Sequence, residues 1–282
     1  MSNQEIDNEA KEIIKLKTIC EYLIPDRFQE IADFSRFEIC FKPLFSDTDI
    51  SIKSVFDIIV GKQRKYITYG RLLESFTNYK KKLYDTEEYK DIKIFFDKLM
   101  TSILKFDTDF IGMESESNNN LSSNNFNNDK KYSISKLTLL CDIDRNIMGV
   151  ELRYNEEYKI RLAPKNLVKA FDINLNILVD LDPNYQLRDA ITHIFGTINQ
   201  DCYLSFIGFK CVSGTTKCFG TPRGEAFLFG EFGKKIQCMS VDPDDKGVSR
   251  FQIFLAKNYL TNTNFNINLN KFFCFPDKPS FK

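Results

Sequence analysis

Apolar residues recur at helical spacing over the first hundred positions and in short alternating runs after residue 132. Ile6, Ile13, Ile14, Leu16 and Ile19 are interleaved with charges, which predicts a first helix. Pro25 should end or kink it, because proline has no amide hydrogen to donate. Asp26 is placed to cap a second helix carrying Phe28, Ile31, Ala32 and Phe37. Residues 41–49 read as a loop. Val55, Phe56, Ile58 and Ile59 then mark a helix, and Leu72, Leu73, Phe76 and Tyr79 another, with a polar stretch and an extended Tyr66-Ile67-Thr68 between them. A further helix is expected over residues 86–105, with Ile92, Phe95, Phe96, Leu99, Ile103 and Leu104 on one face.

Residues 114–131, ESESNNNLSSNNFNNDKK, bury too little apolar surface to offset chain entropy and read as a linker. Strands are expected after it, at 134–140, 147–154 and 158–162. There Glu151, Arg153 and Lys159 alternate with apolar neighbours, as half-buried antiparallel strands require. Residues 177–181 and 189–195 continue the pattern. Between 205 and 241, glycines punctuate apolar runs such as Phe206-Ile207-Gly208-Phe209 and Ala226-Phe227-Leu228-Phe229, which marks tight turns and bulges. Gly230-Glu231-Phe232-Gly233 is not a phosphate loop, since no Gly-Lys-Ser/Thr follows to open a helix. Short strands at about 8–12-residue spacing predict a sandwich, barrel or prism, and residues 250–255 read as one more strand. The expected organisation is α+β: a helical part at 1–113, the linker at 114–131, a β domain at 132–260 and a tail at 261–282. The tail holds Phe265, Phe272, Phe273, Phe275 and Phe281, too many aromatics for a solvated segment. They either pack back on the β domain or await a partner.

The length of 282 residues fits about two domains. Lysine plus arginine (39) equals aspartate plus glutamate (39), so net charge gives no reason to expect nucleic acid or anionic lipid as a partner. The N-terminus has neither signal- nor transit-peptide character, and no run approaches the roughly 18 apolar residues of a membrane span. A cytoplasmic protein without membrane insertion is expected. The eight cysteines form no CxxC and read as reduced thiols, and neither a metal nor a cofactor is expected. His193 is the only histidine, which excludes His-rich metal sites. A catalytic pair with Cys202 is conceivable, but a strand histidine with ordinary hydrogen bonds is the preferred reading. Asp142 and Asp144 read as turn formers. No catalytic residue emerges. Lys62, Arg64 and Lys65, with Lys80, Lys81 and Lys82, form either a solvated face or a contact for an acidic partner.

Helix, polar loop, one isoleucine in an extended piece and helix resembles an EF-hand. With Ile67 at the eighth loop position, Val60, Lys62, Arg64, Lys65 and Arg71 stand at positions one, three, five, six and twelve. Four are cations and one is apolar, so no oxygen-ligand set exists and calcium is not expected. An ordinary helical hairpin is the alternative.

Ile134–Glu157, then LVDLDPNYQLRDAITHIFGTI, then Phe219-Gly220-Thr221-Pro222-Arg223-Gly224-Glu225-Ala226-Phe227 and FGEFGKKIQCMSV resemble a jacalin-type lectin domain over about 132–241. The resemblance implies a β-prism of three Greek-key sheets. It also implies a sugar site made from an N-terminal Gly-rich segment and a GxxxD loop before the last strand. Here the N-terminal segment has no glycine, and the loop runs from Gly233 to Gln237, with an amide where the family has a carboxylate. An amide still accepts a hydrogen bond, without the charge. The sequence therefore predicts a non-enzymatic protein-interaction or structural protein. Protein partners are expected in a larger assembly, cytoskeletal or ciliary, with Lys62–Lys82 and the Phe-rich tail as contact surfaces. The alternative is a jacalin-like lectin with an altered site at Gly233 and Gln237.

Overall fold

The computed structural model describes residues 3–23, 31–61, 64–105, 110–112, 134–154, 158–180 and 186–257. Helices come first and sheets follow, as an α+β chain. The helices are α1 (Asn3–Leu23), α2 (Phe34–Phe41), α3 (Ile52–Val60), α4 (Tyr69–Lys80) and α5 (Lys90–Lys98). Two short strands, β1 (Ile31–Ala32) and β2 (Ile67–Thr68), pair antiparallel, and each leads into a helix. The second helix therefore starts later than the sequence suggested. Ile31 and Ala32 find backbone partners in Thr68 and Ile67, and Asp33 opens α2 by accepting from the Arg36 amide at 2.9 Å. Thr68 and Ser51 cap α4 and α3 in the same way.

The segment expected as a helix over 86–105 is helical from a 3₁₀ turn at Glu87–Tyr89 onward and ends two residues early. After α5 the chain widens into a π-turn over Leu99–Ile103. It then becomes strand β3 (Leu104–Lys105), followed by β4 (Phe110–Gly112). The β region continues with β5 (Ile134–Cys141), β6 (Ile147–Tyr154), β7 (Tyr158–Leu162), β8 (Val168–Asn174), β9 (Ile177–Asp180) and β10 (Gln186–Arg188). After these come β11 (Ile191–Ile198), β12 (Leu204–Cys211), β13 (Thr216–Gly220), β14 (Glu225–Phe229), β15 (Lys234–Pro243) and β16 (Val248–Lys257). One sheet has the order β7-β6-β5-β8, another β13-β12-β11-β14-β3 and a third β15-β16-β4, while β9 and β10 form a hairpin. The orders 7-6-5-8 and 13-12-11-14 are the same Greek key used twice. Residues 104–105 and 110–112, read as part of the helical segment, lie in these sheets: β3 pairs in parallel with β14, and β4 antiparallel with β16.

The glycines of FGTPRG have a steric cause. Gly220 (φ +95°) and Gly224 (φ +90°) would each drive a Cβ into neighbouring backbone, 2.2 Å from the Ser205 carbonyl oxygen and 2.0 Å from that of Ile198. The three sheets enclose one apolar core, with Leu137 and Val150 from the first, Ile207 and Phe229 from the second, and Met239 and Phe251 from the third. A second core lies among the helices and includes Phe37, Phe41 and Phe95. Phe195, Phe206, Ala226 and Leu228 belong to that second core, although they sit on strands β11, β12 and β14. The five-stranded sheet is thus covered on both faces, by the prism interior on one side and the helices on the other. This explains why β11, ITHIFGTI, is buried along nearly its whole length instead of alternating.

Candidate functional site: the 230–237 turn and the buried helix–sheet contact

Strand β14 ends at Phe229, and a tight turn carries the chain into β15. The turn is closed by the Lys234 amide donating to the Glu231 carbonyl at 3.0 Å, and an ion pair joins the same two side chains at 2.8 Å. Gly233 takes φ +78°, the left-handed conformation in which a side chain would be strained. Gln237 falls where the β15–β16 register slips between Ile236 and Cys238, so it is the extra residue of a β-bulge. It is half-buried. The structure thus places both sequence-predicted sugar-site residues on one turn-and-bulge segment.

That segment is not free of the helices. The Phe232 amide donates to the Thr18 hydroxyl of α1 at 3.0 Å, and that hydroxyl donates on to the Ile14 carbonyl at 2.9 Å. The Lys17 ammonium lies 5.3 Å from the centre of the Phe232 ring, which remains 36% exposed. One backbone donor of the turn is therefore committed to the protein itself, while an aromatic edge and a cation stand beside it.

Further along α1, the helix meets the outer face of the five-stranded sheet through His193, read from sequence as a strand histidine, and through Lys210, which sequence reasoning passed over. Lys210 of β12 is only 3% exposed. Its ammonium donates to the Tyr22 carbonyl and to the Cys40 sulfur at 3.1 Å, and lies 4.6 Å from the centre of the Tyr22 ring. The Tyr22 hydroxyl donates to the Cys40 carbonyl. Burial pulls the Lys210 amine below its ordinary range, an effect the neighbouring Cys40 opposes. His193 is wholly buried beside Tyr22, with ring centres 5.6 Å apart, and its Nδ1 lies 2.9 Å from the Thr192 hydroxyl. Burial, reinforced by Lys210, pushes the His193 pKa down to about 3. The available signals were a lysine inside SFIGFKC and a histidine inside ITHIF, each a polar interruption of an otherwise apolar strand.

The other candidates lie apart. Arg64 and Lys65 are exposed before α4, and Lys80, Lys81 and Lys82 are exposed at its far end, one helix length of about 18 Å away. They do not form one patch, and Lys80 already pairs with Glu12 at 2.5 Å. Lys62 and the tail residues Phe265, Phe272, Phe273 and Phe275 fall outside the described residues. Cys202 sits in the turn after β11 while His193 lies near the start of that strand, so the pair is separated by about 15 Å. Asp142 acts as a turn former, accepting from the Asn146 amide at 2.7 Å and from its side chain at 2.8 Å. Among the described residues no group of three or more His, Cys, Asp or Glu side chains is placed to hold a metal, and no helix is long and apolar enough to cross a membrane.

From the end of α3 to the first turn of α4, the described positions Val60, Arg64, Lys65 and Arg71 supply no carboxylate. Millimolar calcium is therefore expected to leave the melting temperature unchanged, since a ligand of the native state alone raises stability by RT ln(1 + [L]/Kd). Differential scanning calorimetry with and without calcium checks this; a rise abolished by substitutions in residues 60–71 would contradict it. The EF-hand likeness of this part gains no support from known proteins.

No protein-family model and no curated protein matches the sequence. Among solved structures, the chain is similar to the mannose-binding jacalin-related lectin AcmJRL of Ananas comosus, at 13% identity and TM-score 0.38, over 53% of this chain and 95% of that one. It is also similar to Malaysian banana lectin (12%, TM-score 0.39, 53% and 96%) and to a prostate-specific WGA16 glycoprotein lectin (12%, TM-score 0.37, 54% and 92%). A further similarity, to PirB at 14% identity and TM-score 0.36, covers 45% of this chain and only 29% of that one. Scores of this size assign neither function nor site, and the fold described above stands on its own strands.

Proposed function

We propose that this chain is a non-enzymatic carbohydrate-binding protein of jacalin-like build whose sugar site, at residues 231–237, is altered. The observation that carries the reading is the turn itself: a positive-φ glycine at 233 leads into a bulge at Gln237, on the strand that closes the prism. Two features define the alteration. Gln237 offers an uncharged acceptor in place of a carboxylate, and the Phe232 amide is held by Thr18. A charge-assisted hydrogen bond is about twice as strong as a neutral one, so simple hexoses should bind weakly. Neither mannose nor galactose is expected to register by titration calorimetry at millimolar concentration.

The decisive variant is Gln237→Asp. Restoring the carboxylate is expected to strengthen binding of mannose or galactose by about tenfold or more, equivalent to roughly 1.4 kcal/mol. If neither the natural chain nor Gln237→Asp binds any monosaccharide or arrayed glycan, the carbohydrate reading fails.

A second reading, a protein-interaction or structural role, is favoured by a different observation. The prism already uses the outer face of one sheet to bind protein, its own helices, through Phe195, Phe206 and Leu228. Cross-linking mass spectrometry on native material tests it. The narrower expectation of a cytoskeletal or ciliary assembly gains no support from the fold or from known proteins.

A further inference from the structure

We propose that Cys40 and Lys210 form an oxidative modification site, at which a sulfur–nitrogen bond ties the helices to the five-stranded sheet. The Cys40 sulfur and the Lys210 nitrogen are 3.1 Å apart, each residue only 3% exposed, on segments 170 residues apart in sequence. Among the described residues no carboxylate pairs with Lys210; its other partners are the Tyr22 carbonyl and ring. Burial penalises the ammonium and draws the Lys210 pKa down, against the opposing effect of Cys40, which enlarges the uncharged, nucleophilic fraction relative to an exposed lysine. The thiol is held in place too, its sulfur 3.8 Å from the Tyr22 carbonyl.

Hydrogen peroxide is the oxidant required. The sulfur attacks one peroxide oxygen and the O–O bond breaks, leaving Cys40 as a sulfenic acid and releasing water. The Lys210 nitrogen then attacks that sulfur. The S–N bond forms, the S–O bond breaks, and the hydroxyl leaves as a second water carrying an amine hydrogen. In sum, one thiol, one amine and one peroxide give one sulfenamide and two waters: sulfur is oxidised by two electrons and peroxide is reduced by two. Sulfenic acids condense with a backbone nitrogen to a sulfenamide, and here the Lys210 amine takes the place of that nitrogen. Cys218, exposed on the edge strand β13, stands opposite Gly208, two residues along β12 from Lys210.

The test treats the full-length chain with hydrogen peroxide, digests it without reductant and reads the peptides by mass spectrometry. The expected result is a linked pair of peptides containing Cys40 and Lys210, lighter than their sum by two hydrogens. It should be reversed by a thiol reductant, retained in Cys218→Ser and absent in Cys40→Ala. The linked chain should also melt at a higher temperature than the reduced one, since the bond closes a long loop. Recovery of Cys40 as free thiol, as sulfinic acid or in a disulfide with Cys218, with the Lys210 amine unmodified, overturns the proposal. The linked peptide is read in the natural chain, so the result does not depend on any variant folding.

Discussion

Phe195→Ala is expected to destabilise the protein by about 3–5 kcal/mol, the usual cost of truncating a large buried aromatic. Phe195 is 1% exposed on the helix-facing side of β11. Its ring meets Tyr22 of α1 edge-on, with centres 5.4 Å apart, and lies 6.0 Å from Phe206 on the neighbouring strand. It also covers Gly208, where an added Cβ would fall 2.3 Å from a ring atom, so the glycine leaves the space that the ring fills. Truncation empties that space and removes an aromatic contact between α1 and the five-stranded sheet. At roughly 2–4 °C per kcal/mol for a chain near this size, the melting temperature should fall by about 6–20 °C. Calorimetry checks both magnitude and cooperativity: the natural chain should melt in one transition if the helices and the five-stranded sheet unfold together. A loss below about 1 kcal/mol would mean that the sheet face carries little of the fold.

Acid should destabilise the chain in a window that belongs to His193. The folded-state pKa is about 3, against an ordinary value of 6.5. Below pH 6.5 the unfolded chain takes up a proton that the folded chain refuses. Stability therefore falls as pH drops from 6.5 and levels off near 3. Between pH 6.5 and 4.5 the loss should be about 2–3 kcal/mol, at 1.36 kcal/mol per unit. This window is diagnostic because His193 is the only histidine. Asp172, whose carboxyl is held down to about 2 by Thr138, Lys169 and Lys136 against the opposing effect of burial, contributes only at lower pH. Denaturant titrations across this range, on the natural chain and on His193→Gln, should show the slope in the first and a nearly flat profile in the second. Equal slopes would place the histidine in water rather than beneath α1.

Much of this was legible in the chain because its patterns are local. Helical spacing located α3 and α4, and the alternation around Glu151, Arg153 and Lys159 located β6 and β7. Asp142 was read as a turn former from its type alone. What escaped depends on distant partners. Ile31 and Ala32 have helical company in sequence but are drawn into β1 by Thr68 and Ile67. Leu104 continues the apolar face of α5 yet leaves the helix to join β14. Strand β8, VKAFDIN, was missed because its lysine and aspartate weaken the alternation; Asp172 and Lys169 face each other there as an ion pair at 3.0 Å. The candidate sugar residues, proposed by likeness alone, stand four positions apart on the turn and bulge that open β15. That α1 would reach that segment through Thr18, and the sheet through Tyr22, is set by contacts 214 and 188 residues apart in sequence, which no local pattern encodes.

The measurement closest to the central claim is amide chemical-shift mapping by NMR on the full chain. The titrant is the strongest ligand that the chain itself selects from a glycan array. Carbohydrate binding at the altered turn predicts saturable shifts concentrated at Glu231–Cys238 and at Lys17 and Thr18 of α1, enlarged in Gln237→Asp. An array without hits, or saturable shifts confined to other surfaces, would contradict it.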